Sequence, residues 1–154
     1  MEHNMRVLSP EELMGPLLRL LDETAAVPLV ISGGSMVPFM IPKRDSVYLS
    51  KVDRKLKRGD MVLYQRDNGH YVLHRIFHVE NGLYTMVGDA QTELEPGIRP
   101  DQIRAVVTAV RRKEKLLRKN SFWWFFFEKI WIRIVPLRPV IMKTYRLIKR
   151  LLLR

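Results

Sequence analysis

No cysteine occurs among the 154 residues. That excludes a disulfide framework, a thiolate zinc site and a cysteine nucleophile, and it fits a reducing compartment. Nothing at the start reads as a secretory leader, because Met1-Glu2-His3-Asn4 has neither a basic opening nor an apolar run. No stretch reads as a bilayer span either. Residues 11–31 are fairly apolar, but Arg19, Asp22 and Glu23 fall in their middle. Each charge at the centre of a span costs about 2.5–3.5 kcal/mol. Internal repeats and low-complexity segments are also missing.

Acidic side chains are scarce in one stretch only. Residues 111–154 hold 14 basic and 2 acidic side chains, a net charge of +12. Residues 1–110 hold 13 and 14, so the body is close to neutral and the overall +11 belongs to the C-terminal segment. A nucleic-acid-binding domain more often carries its basic patch on the folded body, so no nucleic-acid partner is expected. A basic segment mixed with large apolar residues points to an anionic membrane surface. With 47% hydrophobic and 28% charged residues, the composition is that of a folded protein rather than a disordered one.

What is present divides into three parts. Residues 1–26 are expected to form an N-terminal helix: Ser9 can cap it, Pro10 suits the first helical position, and Glu12 completes a capping box. Leu13, Leu17, Leu20 and Leu21 share a face expected to pack on the body, and Gly15-Pro16 is expected to kink the helix or restart it. Residues 27–110 carry short β-type runs, such as Met61-Val62-Leu63-Tyr64 and the stretch from Tyr71 to Val79. Asn68-Gly69 and Asn81-Gly82 are hairpin signals, and Ala105 to Val110 reads as a closing strand. Short strands without intervening helices predict a mainly β fold, an antiparallel coiled sheet or small barrel. In residues 111–154 a basic linker over 111–120 leads to an aromatic run, Phe122, Trp123, Trp124, Phe125, Phe126, Phe127 and Trp131. Beyond Pro136 and Pro139 a basic amphipathic helix follows, with Ile141, Tyr145, Ile148 and Leu152 on one face. The seven aromatics are expected to contact a membrane interface or partner. The rival is that they complete the core of the body. On the first reading, residues 121–154 are dispensable for folding.

Four places carry chemistry. Ser32-Gly33-Gly34-Ser35-Met36-Val37-Pro38 follows a strand and presents Ser35 on a turn whose N–H groups can face an oxyanion. Leu73-His74-Arg75-Ile76 sets an imidazole, the commonest acceptor of a serine proton, within a strand. Gly59-Asp60 precedes a strand and Gly88-Asp89 follows one, so Asp89 could orient His74; Glu95 is a second such carboxylate. His70, His74 and His78 recur every four residues. Each step spans about 13 Å on a strand, too far to share one ion with bonds near 2 Å. No metal or cofactor is expected.

The combination resembles type I signal peptidases. Gly33-x-Ser35-Met36-x-Pro38 is similar to their nucleophile box, Gly59-Asp60-Met61-Val62 to their Gly-Asp-x-Val strand, His74-Arg75 to their general-base box and Gly88-Asp89 to their Gly-Asp box. The resemblance covers roughly residues 27–110. It implies a serine endopeptidase on the mostly β fold shared with LexA-type self-cleaving repressors. Histidine at the base position, where bacterial-type members have lysine, is similar to the endoplasmic-reticulum and archaeal branch. The catalytic set so implied is Ser35, His74 and either Asp89 or Glu95, the latter standing where that branch usually has aspartate. Ser32, Gly33, Gly34 and Met36 would line the oxyanion and substrate contacts. Three features depart from the family: no membrane span precedes the nucleophile box, Gly33 replaces a frequent serine, and the apolar membrane-facing insertions are missing.

The expected function is therefore cleavage of leader or signal peptides through an acyl-enzyme, at a membrane the chain contacts peripherally, with the cytoplasmic face favoured. A self-cleaving LexA-like regulator and a non-catalytic membrane-surface module are the alternatives. Only 34 residues precede Ser35, few for a DNA-binding domain plus a cleavage strand. With an ordinary histidine value near 6.5, the rate is expected to rise between about pH 6 and 7.5.

Overall fold

Turn residues and apolar runs set the sheet. The computed structural model describes residues 10–153, so Ser9 and the readings on Met1–Asn4 lie outside the described residues. Among the described residues eight strands form one open antiparallel sheet: β1 (Val27–Val30), β2 (Ser46–Ser50), β3 (Met61–Gln65), β4 (Tyr71–Glu80), β5 (Leu83–Val87), β6 (Glu95–Ile98), β7 (Ile103–Arg112) and β8 (Lys115–Leu117). Their order is β1-β2-β7-β3-β4-β5-β6, with β8 also paired to β7. Asn81 and Gly82 have φ of +51° and +75°. This left-handed pair makes the tight two-residue turn that joins β4 to β5.

Alternation explains why β3 reads as one unbroken apolar run. Met61 and Leu63 enter the core beneath α1 (Pro10–Glu23), while Val62 and Tyr64 enter a second cluster with Ile76, Met86 and Val106. Both faces of the sheet are covered there. The helix α1 runs through Pro16 without a break. It buries Met14, Leu17 and Leu21, at i, i+3 and i+7, whereas Leu13 and Leu20 are exposed. The inward face is thus rotated from the expected leucine stripe. The one backbone donor Pro16 lacks is outweighed by that packing.

Residues 111–117 are not a linker. β7 continues to Arg112 and pairs with β8, Arg111 opposite Leu116 and Arg112 opposite Lys115. The hairpin is held by a buried carboxylate: Asp45 accepts from the Lys113 N–H at 3.1 Å, from the Ile41 N–H at 2.8 Å and from Arg44.

The aromatic run divides. Ser121 caps α2 (Phe122–Phe125), accepting from the Trp124 N–H at 3.4 Å. Short turns follow over Phe126–Ile130, Trp131–Arg133 and Val135–Leu137. Trp124, Phe127 and Trp131 are buried with the β core, so they are not available to a membrane. Phe122, Trp123 and Phe125 are exposed and Phe126 is half-buried. On this short helical path every third or fourth residue turns inward. Gly59 marks how closely the segment lies on the body: a Cβ there would come within 2.5 Å of the Glu128 carbonyl oxygen. α3 (Arg138–Leu152) starts buried at Arg138 and is exposed along most of its length. Among the described residues no helix is long and apolar enough to cross a membrane.

Candidate active site

The loop that carries Ser35 is held from below. Met36, Phe39 and Met40 are fully buried, and the backbone of Ile31 bonds to Asp45 and Lys43. These anchors leave Ser32, Gly33 and Gly34 exposed and Ser35 half-buried on the rim. The Ala90 N–H donates to the Ser35 carbonyl oxygen at 2.9 Å. A Cβ on Gly88 would stand 2.5 Å from that same oxygen. Gly88 is therefore required by close approach, and residues 88–90 fix the position of the serine.

His74 is only 3% exposed. It lies where β4 pairs with β3, Val62 opposite His74, while pairing with β5 begins one residue later at Arg75. Tyr64 is two residues from Val62 on the same face, hence a diagonal neighbour of His74. Its hydroxyl is 3.2 Å from His74 Nδ1 and donates its proton to Glu95 Oε2. That donation decides the tautomer. The phenol oxygen can only accept from His74, so Nδ1 carries hydrogen and Nε2 keeps a free lone pair. Arg66 holds Glu95 in turn, Nε to Oε1 at 2.6 Å.

The electrostatics follow from burial. Desolvation lowers the His74 pKa to about 4; Glu95 opposes the shift, Arg66 adds to it and Asp89 opposes it. The imidazole is thus neutral at pH 7. Burial works against ionisation of Glu95, but hydrogen bonds from Arg66 and Tyr64 prevail and hold its carboxyl below the usual range. Burial and Glu95 together keep the Tyr64 phenol protonated, raising it well above its ordinary value.

Of the two carboxylates left open by the sequence, Glu95 reaches His74 through Tyr64. Asp89 does not hydrogen-bond the imidazole. It is fully buried and its two oxygens accept from Arg75 at 3.0 and 2.9 Å, while its backbone carbonyl accepts from Trp131 Nε1 at 2.8 Å. Asp60 is structural in the same manner, paired with Arg54 at 2.8 and 2.9 Å. His70 and His78 stand apart: His70 precedes β4 and lies 3.4 Å from Glu11, and His78 lies 3.6 Å from Glu80. Among the described residues no cluster of three or more His, Cys, Asp or Glu could hold a metal ion.

Tyr64 and Arg66 were missed by sequence reading. The signal was there in the register. The Asn68-Gly69 turn pairs Gln65 with Tyr71 and therefore Val62 with His74, which sets Tyr64 beside the imidazole.

Two cavities border these residues, one beside His74 and one beside Ser35, with no lining residue in common. One of about 560 Å³ is lined by His74, Arg66, Glu95 and residues 90–94. The other, about 340 Å³, has Ser35 at its rim and apolar walls from Leu29, Val30 and Ile31 on one side and Tyr71, Val72 and Leu73 on the other. Among the described residues β1 pairs only with β2, and residues 71–74 of β4 pair only with β3. Both walls thus carry an unpaired strand edge. Among the described residues no hydrogen bond joins Ser35 to His74. Such bonds are commonly long or unformed before substrate binds. No profile of a known protein family matches the chain, and none of the characterised proteins compared with it does.

Proposed function

We propose that the protein is a Ser-His endopeptidase of signal peptidase type, acting on leader or signal peptides. The observation that carries the reading is the buried, neutral His74, its tautomer set by Tyr64 and Glu95 so that Nε2 is the free acceptor. Ser35 Oγ attacks the scissile carbonyl and its proton passes to His74 Nε2. The imidazolium so formed is stabilised by Glu95 through Tyr64. It returns the proton to the leaving amine, and water then releases the acyl group from Ser35. The Ser35 N–H faces the oxyanion. Gly33 has no hydroxyl to assist it, so a backbone donor carries the role.

Substrate lies extended between the free edges of β1 and β4, with strand-like hydrogen bonding on both sides. The apolar walls of the groove suit the stretch that precedes the cleavage site in such peptides. Ser35→Ala should abolish cleavage of a leader-bearing peptide and leave the far-UV and near-UV circular dichroism unchanged. Undiminished turnover by that variant removes the mechanism, and with it the signal peptidase and LexA-type relationship.

A peripheral membrane setting is part of the proposal. At 100° per residue, Val140, Ile141, Tyr145, Leu147, Ile148, Leu151 and Leu152 fall on one side of α3, and all are exposed. The charged side holds Lys143, Arg146, Lys149 and Arg150. An exposed apolar stripe beside cations fits the surface of an anionic bilayer.

A further inference from the structure

A third cavity opens beside the loop that carries Ser35, away from the apolar groove. It measures about 590 Å³ and lies between Gly34, Val37 and Ala90 on the body and Arg138, Lys143 and Arg146 of α3. Three cations line it and no carboxylate does. Arg138 is 1% exposed. Its Nη atoms donate to the carbonyls of Gly88 at 2.8 Å, Gln91 at 2.9 Å and Trp131 at 3.0 Å. Its buried Nε has no acceptor among the described residues. The buried carboxylate in the neighbourhood, Asp89, is already taken by both ends of Arg75. Arg75, Asp89 and Arg138 together carry two positive charges against one negative, and Arg138 has no ion pair among the described residues. Burial lowers the Arg138 pKa to about 10, offset by Asp89 and reinforced by Arg75, so the guanidinium stays charged at neutral pH. A buried charge left unpaired is costly, and an anion arriving in the cavity would offset that cost.

The position of the cavity says which anion. Gly34 and Val37 flank Ser35, and Ala90 is the residue bonded to the Ser35 carbonyl. On the proposed mechanism a chain leaving the apolar groove past Ser35 would meet this space, which shares Ala90 and Thr92 with the cavity beside His74. A lipid headgroup fits less well, because Arg138, Met142 and Arg146 turn toward the body while the apolar stripe of α3 lies on the opposite arc. We infer that this cleft binds acidic side chains in the substrate segment immediately after the scissile bond, selecting precursors whose released part begins with aspartate or glutamate. The inference rests on the assignment of Ser35 as nucleophile.

The test uses peptides identical up to the scissile bond and differing in the next three residues, as glutamate, glutamine or lysine. For the full chain, kcat/KM should favour glutamate over lysine at least tenfold. Lys143→Glu with Arg146→Glu should reverse that order; both side chains are exposed, and among the described residues neither makes a hydrogen bond or ion pair. A wild-type ratio near one, or a ratio the double variant leaves unchanged, overturns the inference. Anisotropy titrations of the same peptides on the Ser35→Ala protein separate the two claims. If no peptide is cleaved by the wild type yet the acidic one binds tenfold tighter, the peptidase reading fails and the anion cleft stands. Equal binding of all three peptides removes the cleft. If the double variant loses phosphatidylglycerol vesicles and keeps the peptide preference, the cleft belongs to lipid headgroups and the inference is wrong.

Discussion

Tyr64 decides what His74 can do. A phenol that gives its proton to Glu95 must accept from the imidazole, so it leaves Nε2 as the free acceptor, the atom the proposed mechanism uses. Tyr64→Phe removes the acceptor and leaves a buried Nδ1–H unpaired. Mixed tautomers and an unstabilised imidazolium should lower kcat about 100-fold with little change in KM. Steady-state kinetics on a soluble leader peptide checks this, and a fall confined to KM would mean that Tyr64 only shapes the groove. The pH profile carries the same logic. An ordinary histidine gives a rising limb between about pH 6 and 7.5, but desolvation lowers His74 to about 4. The base is protonated and idle below that value and neutral above it. The rate should therefore climb through a limb near pH 4 and be flat from pH 6 to 8. A limb at pH 6 to 7.5 would mean that His74 is solvated when peptide is turned over. Ser35, His74 and Glu95 were legible only as candidates, from their residue types and the short boxes around them. The link from His74 to Glu95 was not, since a tyrosine in an apolar strand reads as core, and only the register of the hairpin sets Tyr64 against the imidazole. Asp89 misled for the opposite reason: a Gly-Asp turn looks available, and nothing local says that Arg75 has claimed it.

Elements were legible where one period dominated. Six strands and both long helices follow from alternation, leucine spacing and the two Asn-Gly turns. β6 escaped because Pro96 and Gly97 are loop residues almost everywhere, and an edge strand is the place where proline costs no ladder bond. β8 escaped because its residues are charged or follow charges. What folds it is a distant carboxylate, Asp45, bonded to the Lys113 N–H. The aromatic run was the hardest case, since six of the residues from Phe122 to Phe127 are large and aromatic and period alone cannot rank them. Depth was assigned by partners outside the run. Trp131 turns inward because its indole N–H finds the Asp89 carbonyl at 2.8 Å, and Phe127 packs against Phe39 with ring centroids 4.9 Å apart. The run thus joins the tail to the loop that positions Ser35.

At the scale of the whole molecule, charge and core do not share a boundary. Residues 1–110 are nearly neutral and 111–154 carry a net +12, which invites a division between body and anchor at residue 110. Packing moves the division to α3. Trp124, Phe127, Trp131, Ile132 and Val135 are all buried, and Arg138 holds the carbonyls of Gly88 and Gln91. A chain stopped after Ser121 should therefore lose its fold, because each buried aromatic removed costs about 3–5 kcal/mol against a total stability of about 5–15 kcal/mol. A chain stopped after Arg146 should behave differently. It keeps the core, the loop contacts and the basic cleft, and it loses Leu147, Ile148, Leu151, Leu152 and the last cations. Its thermal midpoint and its turnover of soluble peptides should match the full chain. Its binding to phosphatidylglycerol vesicles should weaken at least tenfold, since each cation near such a surface contributes about 1 kcal/mol and the lost apolar side chains contribute more. Binding of the full chain should fall with added salt without vanishing, because screening acts on the Coulomb part and not on apolar burial. Sedimentation with vesicles at low and high salt measures both. If the shortened chain sediments as the full one does, the exposed Phe122, Trp123 and Phe125 hold the surface and α3 is free for another partner.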